Sequence, residues 1–118
     1  MKILSMTKHQ DPCTQDNCPV RLAADLLEHK WITLIIRDLL TGKKRFSELE
    51  RSLRPISAKV LTARLKELEQ NELITRYVYA SVPPTTEYEL NDSALELRNI
   101  ILAMEALGNR LLRQTQGD

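Results

Sequence analysis

The chain has 118 residues, an apolar fraction of 42%, an aromatic fraction of 4% and a net charge of +1. That length suits one domain with a modest core of Leu, Ile, Val and Ala. No apolar run is long enough to span a bilayer, MKILSM is too short for a signal-peptide core, and three glycines with two histidines leave little catalytic material.

Residues 1–17 are polar and aperiodic, and are expected to form a flexible arm. Pro19 suits a first helical turn, with Asn17 or Cys18 as its cap. Leu22, Ala23, Leu26 and Leu27 then keep helical spacing to about His29. WITLIIRDLL is apolar on most sides, so it predicts a largely buried helix over 31–40, with Trp31 in the core, ended by Thr41-Gly42. Residues 44–46 suit a short strand. Ser47 or a neighbour can cap a helix running to Leu53, and Pro55 stops it because the residue before a proline avoids the α region.

Ser57 is a good N-cap for the next helix, expected over 57–72. On a helical wheel, Leu61, Leu65 and Leu68 form one stripe with Val60 on its flank. Lys59, Thr62, Ala63, Lys66 and Gln70 form the opposite one. Residues 74–80 and 86–90 are rich in β-branched residues and tyrosine and predict two strands, joined by a proline-rich SVPPT loop. Asn91 or Asp92 can cap a last helix through about Arg113, leaving 114–118 as a tail. Its apolar stripe of Leu97, Ile100, Ile101, Met104, Leu107 and Leu111 is wider than one small domain needs, so it is expected to join a second copy.

Helix, turn, helix, hairpin is the order of a winged helix-turn-helix: a mainly α chain with a small β-hairpin (α+β), flanked by dimerisation helices. The expected domain runs over 18–113, with 92–113 as the dimerisation helix. Charge agrees with that order. Residues 42–67 hold eight basic side chains against three acidic ones, a local excess of +5 that leaves −4 for the rest. Such a patch suits phosphate, although a solvated helical face looks similar. Lys59, near the start of the second helix, is placed to read guanine O6 and N7, and Thr62 a thymine methyl or a phosphate. Lys43, Lys44, Arg45 and Lys66 suit phosphate contacts. Arg64, beside the apolar stripe, can instead pair with Glu48 or Glu67. The partner implied is double-stranded DNA. A protein–protein winged-helix module is the alternative, and salt-dependent DNA binding separates the two.

CPV at 18–20, KW at 30–31, RFSEL at 45–49, IS-x-K-V-L-T-x-R-L-K-E-L-E at 56–69 and Y-x-x-V-P-P-x-x-E-Y-x-L at 79–90 resemble the HxlR-type transcriptional regulators. These are bacterial winged-helix proteins related in fold to the MarR group. The resemblance runs over 18–108 and implies a homodimeric regulator, most often a repressor, on a pseudo-palindromic operator. It places base reading in 57–66 (Ser57, Ala58, Lys59, Thr62, Ala63 and Lys66) and the wing in 81–85 (Ser81 and Thr85). The helices after Pro19 and Asp92 would build the dimer interface, which adds Leu22 and Leu26. The chain departs from the family at Glu28-His29, where a glycine pair commonly precedes KW.

In some relatives a cysteine at the position of Cys18 senses oxidants or quinones. A helix start favours the thiolate, and Cys13 could act as a second thiol; a small buried hydrophobe at the dimer seam is the plainer role for Cys18. A small electrophile, an oxidant or a hydrophobic effector is therefore an expected partner. His9, Cys13, Cys18 and His29 match no common zinc spacing, so neither metal nor cofactor is expected. The expected location is the bacterial cytoplasm, where thiols are normally reduced.

Overall fold

The structure is a computed structural model and describes residues 18–116. It divides into two compact units, Met1–Lys30 and Trp31–Asp118. Cys13 and His9 lie outside the described residues.

In the first unit, helix α1 (Pro19–Leu27) begins with proline in its first turn and is capped by Cys18, whose Sγ accepts the Arg21 N–H at 3.4 Å. The Cys18 side chain is fully buried.

The second unit carries α2 (Lys30–Leu39), β1 (Lys44–Arg45), α3 (Phe46–Ser52), α4 (Ala58–Gln70), β2 (Ile74–Tyr79), β3 (Thr85–Leu90), a 3-10 turn (Asp92–Ala94) and α5 (Leu95–Gln116). The core forms where the apolar stripes of α2 and α4 meet the inner sheet face. Ile32, Ile35, Ile36 and Leu39 of α2 and Leu61, Leu65 and Leu68 of α4 are buried, at the spacing that puts each set on one side of its helix. Fully burying one such side chain contributes about 1.5–3 kcal/mol. Leu49, Leu53 and Ile56 complete the core around the α3–α4 turn, closed by Ile56 N–H donating to the Leu53 carbonyl at 3.0 Å. Trp31, expected in the core, is only half-buried.

The α2–β1 turn needs a glycine. Gly42 has φ +133°, a region side chains rarely adopt, and its N–H donates to the Leu39 carbonyl at 3.1 Å. Helix α3 starts at Phe46, two residues before a helix capped by Ser47 would, and Ser47 is not its cap. Arg45 is the N-cap residue, and Glu48 Oε1 accepts the Arg45 N–H at 2.8 Å. Ser57 caps α4 as expected, its Oγ accepting the Val60 N–H at 3.1 Å.

Helix α4 ends in a Schellman turn. The Leu73 N–H donates to the Leu68 carbonyl at 3.0 Å and the Glu72 N–H to the Glu69 carbonyl at 2.9 Å. The left-handed position is Glu72, at φ +61°. Asn91 ties this turn to the end of β3: its N–H donates to the Leu73 carbonyl and its Nδ2 to the Glu72 carbonyl, both at 2.8 Å.

The sheet is antiparallel in the order β1-β3-β2. Its register pairs Arg45 with Glu87, Tyr77 with Glu87, Arg76 with Tyr88 and Ile74 with Leu90. Strand alternation then sends Ile74 and Tyr88 to the core. It leaves Thr75, Tyr77, Tyr79, Glu87, Glu89 and Arg45 on the outer face.

Candidate nucleic-acid interface

Helix α4 presents Ser57, Ala58, Lys59, Thr62, Ala63 and Lys66 to solvent, all exposed. The buried leucines at 61, 65 and 68 fix that rotation, because turning the helix would bring lysines into the core. Lys59 stands in the first turn, two residues after the cap, which is where recognition helices reach base edges.

Arg64 pairs with Glu67 at 3.2 Å. Its Nε is buried, with no hydrogen-bond partner among the described residues, and its guanidinium is engaged by Glu67 along the helix.

Beside α4 lies a cleft of about 220 Å³ lined by Thr62, Lys66, Glu69, Arg76 and Tyr88. Arg76, exposed on β2 and 3.7 Å from Glu69, brings a cation next to Lys66 that sequence reading missed. The available signal was its phase: two residues after Ile74, it shares the face of β2 that turns toward the helix.

The basic residues of the α2–α3 connection are less free than sequence suggested. Lys43 Nζ lies 3.9 Å from Glu87 Oε1 and 4.5 Å from the centre of the Tyr77 ring. Arg45 Nε lies 3.7 Å from Glu87 Oε2. The Tyr77 hydroxyl donates to Glu89 Oε1 at 3.0 Å. The Lys43 ammonium titrates above the ordinary lysine range, held up first by the Tyr79 phenol and then by the Glu89 and Glu87 carboxylates. Tyr77 is also raised, first by its hydrogen bond to Glu89. Lys44, half-buried in β1, pairs with Tyr88 in register and stands on the other face. It lines a second cleft with Arg51 and Glu48. There Ser52 Oγ donates to Asp38 Oδ2 at 2.7 Å and fastens α3 to α2.

The loop between the strands is shifted by one residue from the expected one: Ala80 leaves β2, and Thr85, assigned to the wing, belongs to β3 and pairs with Tyr79, so the loop is 80–84. Ser81 Oγ donates to the Pro83 carbonyl at 2.7 Å, and Val82 is fully exposed.

A family model, the HxlR-like helix-turn-helix, matches residues 26–116. The chain belongs to the HxlR family. Within it, the chain is 39% identical over 106 residues to an HTH-type transcriptional regulator of Synechocystis, covering 88% of this chain and 78% of that protein. It is 40% identical over 90 residues to the HTH-type regulator YodB of Bacillus subtilis, covering 75% and 80%. Among solved structures, the redox regulator HypR in its reduced form superposes with a TM-score of 0.76 at 33% identity, over 85% of this chain and 99% of that one. This HxlR chain is thus a helix-turn-helix transcriptional regulator whose relatives are regulators, not enzymes. No described helix is long and apolar enough to cross a membrane.

Of the residues expected at a dimer interface, Leu97 is buried. Ile100 and Ile101 are half-buried. Met104, Leu107 and Leu111 are 46–49% exposed, and Leu95, Leu102 and Leu112 add to the apolar surface of α5. On α1, Leu22 is exposed and Leu26 half-buried. Between α1 and α2, Glu28 keeps right-handed helical angles and His29 completes the turn, where the family commonly has glycines.

Proposed function

We propose that this HxlR-family chain is a homodimeric repressor that binds a pseudo-palindromic operator in the bacterial cytoplasm. The exposed stripe of α4 carries the reading: small side chains and cations stand on a capped helix that its leucines hold in one rotation. Lys59 and Thr62 would meet base edges. Lys66, Lys43, Lys44 and Arg45 would meet phosphates, with Ser81 and Thr85 flanking the wing. Two-fold symmetry sets the two α4 helices roughly 34 Å apart, in successive major grooves. The exposed apolar stripe of α5 from Met104 to Leu111, together with Leu22 and Leu26 of α1, supports self-association.

Fluorescence anisotropy of the reduced protein on duplex from upstream of its own gene, against a scrambled duplex, tests this. Tight, sequence-dependent and salt-dependent binding is expected. No binding to either duplex at low salt would overturn the DNA reading in favour of a protein-interaction module.

Binding is further proposed to respond to oxidants or electrophiles through Cys18, with Cys13 as second thiol. The support is the placement of Cys18 at a helix start and the likeness to HypR, a redox regulator; the thiol is fully buried, so an oxidant reaches it only when the start of α1 opens. The Cys18→Ser variant should bind DNA when reduced and keep it after diamide treatment. Release of DNA by that variant on oxidation would sink the assignment.

A further inference from the structure

The outer face of the sheet carries a charge cluster centred on one carboxylate. Glu87 lies on the central strand β3, and its two carboxylate oxygens face different cations. Oε1 is 3.9 Å from Lys43 Nζ and Oε2 is 3.7 Å from Arg45 Nε. Lys43 rests on the Tyr77 ring, and Tyr77 is in turn held by Glu89. Both cations approach from outside β3, Arg45 from β1 and Lys43 from the residue before β1. Glu87 thus does for two basic side chains what a DNA phosphate would do: it offers two oxygens to cations on a common face.

Resting on the DNA reading above, we infer that Glu87 is a positioning residue for DNA binding, an internal phosphate mimic. It holds Lys43 and Arg45 in the free protein and yields them to the backbone when α4 docks. The geometry suits exchange. Charge-assisted hydrogen bonds close to about 2.7–2.9 Å, whereas both of these pairs are longer, so little directional bonding opposes release. Lys43 and Arg45 are 38% and 60% exposed at the side chain, so phosphate can reach them without unfolding the sheet. Glu87 itself is 23% exposed and is held by strand pairing on both sides, so it stays while the cations move. The consequence falls on sequence-independent affinity. Phosphate contacts are equal on all sequences, so a residue that competes for them lowers binding to random DNA and leaves discrimination to α4.

The test is a salt titration of anisotropy on a scrambled duplex, which requires no knowledge of the operator. Glu87→Gln should bind severalfold tighter than the parent at low salt, with a log–log salt slope steeper by about one unit for the one carboxylate charge removed. Glu87→Asp keeps the charge but shortens the reach to both cations, and it too should bind tighter. Glu96→Gln, the same charge change on α5, should not alter the slope comparably. In a Lys43→Ala/Arg45→Ala background, Glu87→Gln should have no effect. Unchanged binding by Glu87→Asp, or an undiminished Glu87→Gln effect in that background, would overturn the mimic and reduce Glu87 to bulk charge. Failure of the parent to bind any duplex would overturn the DNA reading, and this inference with it.

Discussion

Three residues make the chemistry of the domain testable one side chain at a time. Lys59→Ala removes the cation in the first turn of α4. If it reads a base, it should cost about 1–3 kcal/mol on operator and little on random duplex, measured by anisotropy on both. Glu72 sits at φ +61° where a Schellman turn usually has glycine. The left-handed region costs an L-residue roughly 1–2 kcal/mol, and glycine loses about 0.5–1 kcal/mol of that advantage in chain entropy. Glu72→Gly should therefore stabilise the fold by about 0.5–1 kcal/mol in urea unfolding, with an unchanged m-value. Tyr88 is buried at the sheet–α4 junction, and burial raises its phenol above 10.0. A raised folded-state value means its stability contribution is intact below the unfolded value and is lost as pH climbs through the folded one. Melting temperature should fall from about pH 10 upward, and Tyr88→Phe should flatten that part of the decline.

At the scale of elements, local pattern and packing part company. Helix α4 was legible because its two stripes and its serine cap are all local, within one stretch of thirteen residues. Helix α5 was legible as a helix, but its stripe of six apolar side chains was not legible as a surface. Leu97 is spent in the core while Met104, Leu107 and Leu111 remain outside. That division predicts which substitutions separate association from folding. Leu107→Lys with Leu111→Lys should halve the mass seen by light scattering and leave the melting temperature of the protomer nearly unchanged. Leu97→Ala should cost about 2–5 kcal/mol of stability, because it opens a cavity. The wing shows the same limit: Thr85 reads as loop beside two prolines, yet pairing with Tyr79 draws it into β3.

At the scale of the molecule, net charge +1 conceals an uneven distribution that only side-chain geometry interprets. The basic excess of 42–67 divides into cations that face solvent on α4 and cations engaged across the sheet. Arg64 pairs with Glu67, one of the two partners expected for it. Arg76, from outside the basic segment, joins the α4 face instead. A count of charges along the chain therefore misjudges the number available to phosphate, and with it the salt dependence of binding.

The sequence by itself determined the helix-turn-helix order, the cap at Ser57, the buried face of α4 and the family. Each of these is written in short-range spacing or in motifs that need no partner. Tertiary structure alone decided that Glu87 stands between Lys43 and Arg45, more than forty residues earlier in the chain. Strand register sets that meeting, and register follows from how the whole sheet seats Tyr88 and Ile74 on the core rather than from any local pattern.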